Sequence, residues 1–133
     1  MSHVATVQCL IKAASLDLLN EAAQKFGGEL VENQTSFLMW GSRREPCIHA
    51  IRLTNQPGAY EIGLRRAEAN DPTTFNLAAD FYDGRLNKAF GHELVDLRNE
   101  YLALVAEQQL RRGGYRVMER EQEGQRLTVR GVR

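Results

Sequence analysis

Alternation of apolar and polar positions opens the chain. His3, Ala5, Val7, Cys9 and Ile11 point one way and Val4, Thr6, Gln8 and Leu10 the other, which predicts a strand over His3–Lys12 with one fully apolar face. The period then changes. Leu16, Leu19, Ala22, Ala23 and Phe26 recur at helical spacing, with Ser15 placed to cap the helix and Asp17 in its first turn, where negative charge meets the helix dipole. Gly27-Gly28 stops this helix, because glycine accepts the left-handed conformation of a C-terminal cap. Short strands are predicted over Glu29–Glu32 and Ser36–Trp40, followed by a loop over Gly41–Pro46. Three further strands follow at Cys47–Leu53, Tyr60–Arg66 and Thr74–Tyr82. They are separated by Asn55-Gln56-Pro57-Gly58 and Asn70-Asp71-Pro72, where proline presets φ and glycine supplies a positive one. Three strands joined by short turns imply an antiparallel meander.

The strongest helical pattern runs from Leu86 to Arg112 through Phe90, Leu94, Leu97, Tyr101, Leu104 and Val105. Gly91 lies inside it at a cost of about 1 kcal/mol relative to alanine, so the first turn is expected to fray or kink. Gly113-Gly114 ends the helix. Tyr115–Arg120 and Arg126–Val132 then flank Glu121–Gln125 as a terminal β-hairpin with Gly124 in its turn. The order β-α-β-β-β-β-β-α-β-β reads as one α+β domain over residues 1–133, an antiparallel sheet with two helices packed on one face. Leu102, Val105 and Leu110 widen the apolar face of the long helix beyond one stripe, and on that ground a homodimer is expected.

Composition fits this picture: 133 residues, 43% apolar and 26% charged, are one globular domain's worth. No apolar run approaches the ~18 residues of a membrane span. No basic region followed by an apolar stretch opens the chain, so no signal peptide is expected and the protein is read as cytoplasmic. Two cysteines make no disulfide framework. Net charge is zero but uneven. Residues 1–110 hold 10 basic and 14 acidic side chains, and residues 111–133 hold 7 arginines against 3 glutamates.

That asymmetry makes the terminal hairpin the first candidate surface. Arg116 and Arg120 share one strand parity, Arg126 and Arg130 another, so four guanidiniums line one face if the two sets point the same way. A guanidinium fork suits phosphate and carboxylate alike. A protein-partner surface and a nucleic-acid surface both follow, as does a solvated face partly neutralised by Glu119, Glu121 and Glu123. Trp40, at a strand end, is either a core residue or an interface anchor.

Other constellations carry less. His3, Cys9, Cys47 and His49 fall on apolar strand faces and would make a tetrahedral metal site if the strands were neighbours, although Cys-x-x-Cys spacing is missing. The plainer reading is four buried core residues, with no metal and no cofactor. Asp80, Tyr82 and His92 offer acid–base groups near one strand end. They lack a nucleophile with a paired base. No glycine-rich phosphate loop is present, since both Gly-Gly pairs follow helices rather than precede them.

Several signatures occur in a fixed order: Met1-Ser2-His3, Tyr60-Glu61-Ile62-Gly63, Ala79-Asp80-Phe81-Tyr82, Tyr101, Gly113-Gly114-Tyr115-Arg116-Val117 and Arg126-Leu127-Thr128-Val129-Arg130. In this the whole chain resembles domain-of-unknown-function family 1257, which includes a conserved plastid and cyanobacterial reading frame and small proteins of other bacteria and some phages. It departs from the family in having Phe81-Tyr82 where paired tryptophans are common, and in ending Gly131-Val132-Arg133 rather than on a bulky aromatic. The family has no established activity, so no catalytic residues carry over. Its bacterial members resemble operon companions of AAA-type ATPases, which implies an adaptor or accessory role, or in a phage a protein directed at a host factor. A non-enzymatic interaction module is therefore the leading expectation. Nucleic-acid binding through the arginine hairpin and a small enzyme using Asp80, Tyr82 and His92 are the alternatives.

Overall fold

The computed structural model describes residues 4–123 and 126–133, Arg126 by its backbone alone. Strand β1 (Ala5–Lys12) buries Val7, Cys9 and Ile11 and exposes the residues between them, as the alternation requires. Helix α1 (Leu16–Lys25) buries Leu16, Leu18, Leu19, Ala22 and Ala23 and carries Asp17 in its first turn. Ser15 stands at its N-cap position, yet its side chain makes no cap hydrogen bond and turns to the Tyr101 hydroxyl. The strands that follow are β2 (Gly28–Val31), β3 (Ser36–Met39), β4 (Arg43–Pro46), β5 (His49–Leu53), β6 (Ile62–Arg66) and β7 (Thr74–Ala79). Helices α2 (Arg85–Phe90) and α3 (Val95–Arg112) precede the terminal pair β8 (Arg116–Glu123) and β9 (Arg126–Val132).

Five strands form one antiparallel sheet in the order β1-β7-β6-β5-β2. One face carries Ile11, Ile51, Ile62, Leu64, Phe75 and Leu77 into a single core with Leu19, Leu86, Phe90, Leu97 and Tyr101 of the helices. The fold is thus α+β with its helices on one face of an antiparallel sheet, and no described helix is long and apolar enough to cross a membrane.

Two elements depart most from the sequence reading, and β8 also runs on through residues 121–123, which the reading gives to the turn. Gly41–Pro46 was expected as a loop, but Arg43–Pro46 pairs with β3 from Met39↔Arg43 to Ser36↔Pro46. The resulting hairpin lies on the sheet face away from the helices, where Phe37 packs with Cys47, Ala50 and Ala78. Gly63 makes room for it, since a Cβ there would run into the Phe37 ring. The long helix expected over Leu86–Arg112 is two helices, so three cover the sheet rather than two. The chain breaks at Gly91, whose φ of +83° leaves the helical region, and Glu93 and Leu94 follow with positive φ. Burial of Leu94, completely shielded from solvent, holds that unusual backbone in place.

The β8–β9 pair belongs to neither of the other sheets and packs on α3. Two strands alone are marginal in water, so α3 must supply what keeps this hairpin in place.

Candidate functional site

Register decides which hairpin side chains share a face. Arg116 pairs with Val132 and Val117 with Gly131, but Glu119 pairs with Arg130 and Arg120 with Val129. One extra residue, Met118, is accommodated between Val117 and Glu119, and this bulge inverts the parity of everything after it. Paired residues share a face. Arg116 and Arg130 therefore lie with Glu119 and Thr128, while Arg120 lies with Gly131, Val129 and Leu127 on the side facing α3. The hairpin does not gather all four arginines on one surface: Arg116 and Arg130 share a face, with the Arg126 backbone in register with it, and Arg120 is turned to the other. Arg116 is exposed and Arg130 is paired with Glu119 at 3.1 Å. The side chain of Arg126 lies outside the described residues.

Arg120 is the clamp between hairpin and helix. Its Nη1 donates to both Glu100 oxygens at 2.6 and 2.9 Å, and its Nε donates to Glu107 Oε2 at 2.8 Å. Glu100 and Glu107 stand seven residues apart on α3, two turns of one face, and are 9% and 7% exposed. Lys25, in the last turn of α1, donates to Glu100 Oε1 at 2.7 Å, tying a third element to the same carboxylate. Burial would raise the Glu100 carboxyl, but the hydrogen bonds and charges of Lys25 and Arg120 outweigh it and hold the group below the ordinary carboxylate value. Burial likewise works against the Arg120 charge, and the two glutamates more than offset it.

Beside the clamp the hairpin stands off the helix. A groove of about 570 Å³ remains between them, walled by Leu102, Ala106 and Leu110 of α3 and by Tyr115, Leu127 and Val129 of the hairpin. Leu102 is 46% exposed within it. The three residues read from sequence as surplus apolar surface have separate fates: Val105 packs against the core, Leu110 meets Gly131 and only Leu102 stays open. Glu100, Glu107 and Lys25 did not emerge from sequence reasoning. Their one signal is a pair of acids at heptad spacing set among the buried residues Leu97, Tyr101 and Ala103.

The remaining candidates disperse. Asp80 is 1% exposed, and its oxygens accept from the Trp40 and Tyr82 backbone amides at 3.2 and 3.0 Å. The Tyr82 and His92 side chains project into solvent, and no hydrogen bond or ion pair joins either to the Asp80 carboxylate among the described residues. Trp40 is 37% exposed at the turn of the β3–β4 hairpin, with the Arg43 guanidinium 5.8 Å from its ring, on the sheet face away from the helices. Cys9 packs in the helix-side core and Cys47 in the cluster under β3, so the sheet separates them. Burial pushes both thiols up to about 11, with Glu61 adding to the effect at Cys47. His49 stacks edge-on against Phe75, and its Nδ1 accepts from the Asn33 amide at 2.9 Å. His3 lies outside the described residues. No three described His, Cys, Asp or Glu side chains come together as metal ligands.

The signature Tyr60-Glu61-Ile62-Gly63 acquires a physical meaning. Glu61 accepts from the Leu38 amide, Gln34 and Arg44, and Gly63 seats Phe37, so the segment docks the β3–β4 hairpin. Asp80, of the second signature, holds the turn of the same hairpin through Trp40. Compared with protein-family models, curated proteins and solved structures, the chain finds no match in any of the three.

Proposed function

We propose that this protein is a non-enzymatic interaction module that seats a partner protein in the groove between α3 and the terminal hairpin. The observation that carries this is the groove itself. It has aliphatic and aromatic walls, opens beside an exposed leucine, and is flanked by an ion-pair clamp that fixes the hairpin at a distance from the helix. Apolar concave surface of this kind is what a protein ligand desolvates. Asp80 is spent on holding backbone, which leaves the acid–base alternative without its central group. Arg120 is spent on Glu100 and Glu107, which weakens the case for a phosphate-binding arginine row. An adaptor for an ATPase complex is the form of this function that the family resemblance supports.

The test is affinity capture from a native cell extract, with and without nuclease, using the wild type and Leu102→Glu. A stoichiometric protein that survives nuclease and is lost with the variant is expected. Recovery of the same proteins by the variant, or recovery only while nucleic acid is intact, would overturn the assignment.

A further inference from the structure

The outward stripe of α3 runs through Val95, Arg98, Asn99, Leu102, Ala106 and Leu110 at spacings of three and four. At 1.5 Å per residue it is roughly 22 Å long, about four turns of helix. The groove under the hairpin lies along one flank. A smaller cleft of about 220 Å³ against Gln8, Cys9 and Leu10 of β1 lies along the other, and Asn99 and Leu102 line both.

Two features give this stripe a chemical preference. Arg98 Nε and Asn99 Nδ2 are buried and meet no acceptor among the described residues. A buried donor left unmatched costs about 1–3 kcal/mol, and rotation of either side chain into the clefts it lines would offer that donor to an incoming oxygen. The unneutralised charge around the stripe is also mostly of one sign. Arg98 and Arg112 of α3 form no ion pair among the described residues, and the Arg133 guanidinium lies 4.8 Å from the Tyr115 ring at the end of the groove, whereas Arg116, Glu121 and Glu123 lie on the hairpin face turned away from α3. Of the acids on α3, Glu100 and Glu107 are already matched by Arg120, Lys25 and Arg111, and Asp96 in the first turn forms no ion pair among the described residues.

Resting on the interaction reading above, we infer that this stripe docks an acidic amphipathic helix of the partner protein. Its apolar face fills the grooves beside Leu102, and its carboxylates meet Arg98, Asn99 and the Arg133 guanidinium beside Tyr115. An extended peptide added to the β1 edge is a poorer fit. The strand is irregular between Val7 and Ile11, and its Lys12 amide is already taken by the Tyr101 hydroxyl at 3.1 Å. A second copy of this chain is also a poorer fit, because a two-fold contact sets the same unpaired arginines against each other.

The experiment is selection from a displayed library of helical peptides of about four turns, with every position randomised, against the intact protein. Enriched peptides are expected to carry leucine-like residues every three or four positions flanked by Asp and Glu. Binding of the selected peptides should weaken roughly tenfold or more with Arg98→Glu, the scale of one close charge pair, and also with Leu102→Glu. Arg98→Lys should recover part of it. Enrichment of neutral or basic helices that still need Leu102 overturns the acidic assignment while leaving the interaction module standing. Absence of enrichment on the wild type, or binding indifferent to both substitutions, overturns the inference, and the capture experiment then judges the module separately. A dimer in sedimentation that Leu102→Glu dissociates also overturns it, by making the stripe an interface between copies.

Discussion

The molecule carries two small hairpins on its sheet-and-helix body, and they are attached by opposite means. The β3–β4 hairpin is centred on Phe37, wholly buried over Gly63, with its polar ties at the margin through Glu61, Arg44 and Asp80. The β8–β9 hairpin is held by a charged clamp at Arg120 and meets the helix where Gly131 touches Leu110, while Leu127 and Val129 wall an open groove. An apolar centre fills its space and makes the first hairpin part of the body. A charged clamp fixes distance without filling volume, and leaves the second hairpin with a groove and a separable stability.

The largest effect should come from the first attachment. Phe37→Ala removes the side chain around which that face is built, and should cost about 3–5 kcal/mol of global stability, the usual penalty for deleting a buried aromatic ring. The denaturation midpoint should fall in one cooperative step. A loss under about 1 kcal/mol would mean the hairpin contributes surface only, and the contrast with the terminal hairpin would vanish.

The second attachment should fail locally. Arg120→Ala removes the shared partner of two buried carboxylates. Breaking a fully buried pair costs about 3–5 kcal/mol, but Arg120 is one-third exposed and Lys25 still reaches Glu100, so about 1–3 kcal/mol is expected here. Amide exchange should accelerate in β8 and β9 while β5, β6 and β7 keep their protection. Equal acceleration throughout the main sheet would show that the terminal hairpin is integral to the body.

How much of this the residues announce follows from what each element depends on. Strand β1 and helix α1 alternate or repeat because one side meets the core, and β5, β6 and β7 carry their large apolar residues on that side with Ala50, Gly63 and Ala78 on the other, so their patterns are legible. Strand β4 is Arg43-Arg44-Glu45-Pro46, with no apolar side at all. Backbone pairing and the Arg44 contacts to Ser36 and Glu61 define it, and neither leaves a periodic trace. Gly91 was visible as a weak point, but whether a glycine frays a helix or breaks it depends on its neighbours, here on Leu94 reaching the core. The arginine face loses Arg120 for one identifiable reason. Parity reasoning assumes an uninterrupted strand, and the bulge at Met118 turns Arg120 to the opposite side from Arg116. The clamp is illegible on the same ground, because its partners come from separate elements and meet only once register is set.

Acidification should separate the two regions further, with the smallest effect of the three. Burial lowers the His49 pKa from its ordinary value of 6.5, partly opposed by Glu32. A base whose folded pKa is depressed stays neutral in the native state while the unfolded chain takes up a proton. Its contribution is therefore complete above 6.5 and is lost as pH falls towards the folded value. Glu100 lies below the ordinary carboxylate value of 4.5, despite burial, because Lys25 and Arg120 favour its charged form. Its contribution is present above 4.5 and is lost only as pH falls through the lower folded value. The main sheet, through His49 on β5, should thus weaken first, and the terminal hairpin should loosen at more acid pH. Exchange in β8 and β9 measured from neutral to acid pH should show that later onset, and Glu100→Gln should flatten it by removing the titrating group. His49→Phe should flatten only the earlier limb of global stability. If Glu100→Gln leaves the acid response of the hairpin unchanged, the clamp does not govern the hairpin, and the two attachments differ in composition but not in behaviour.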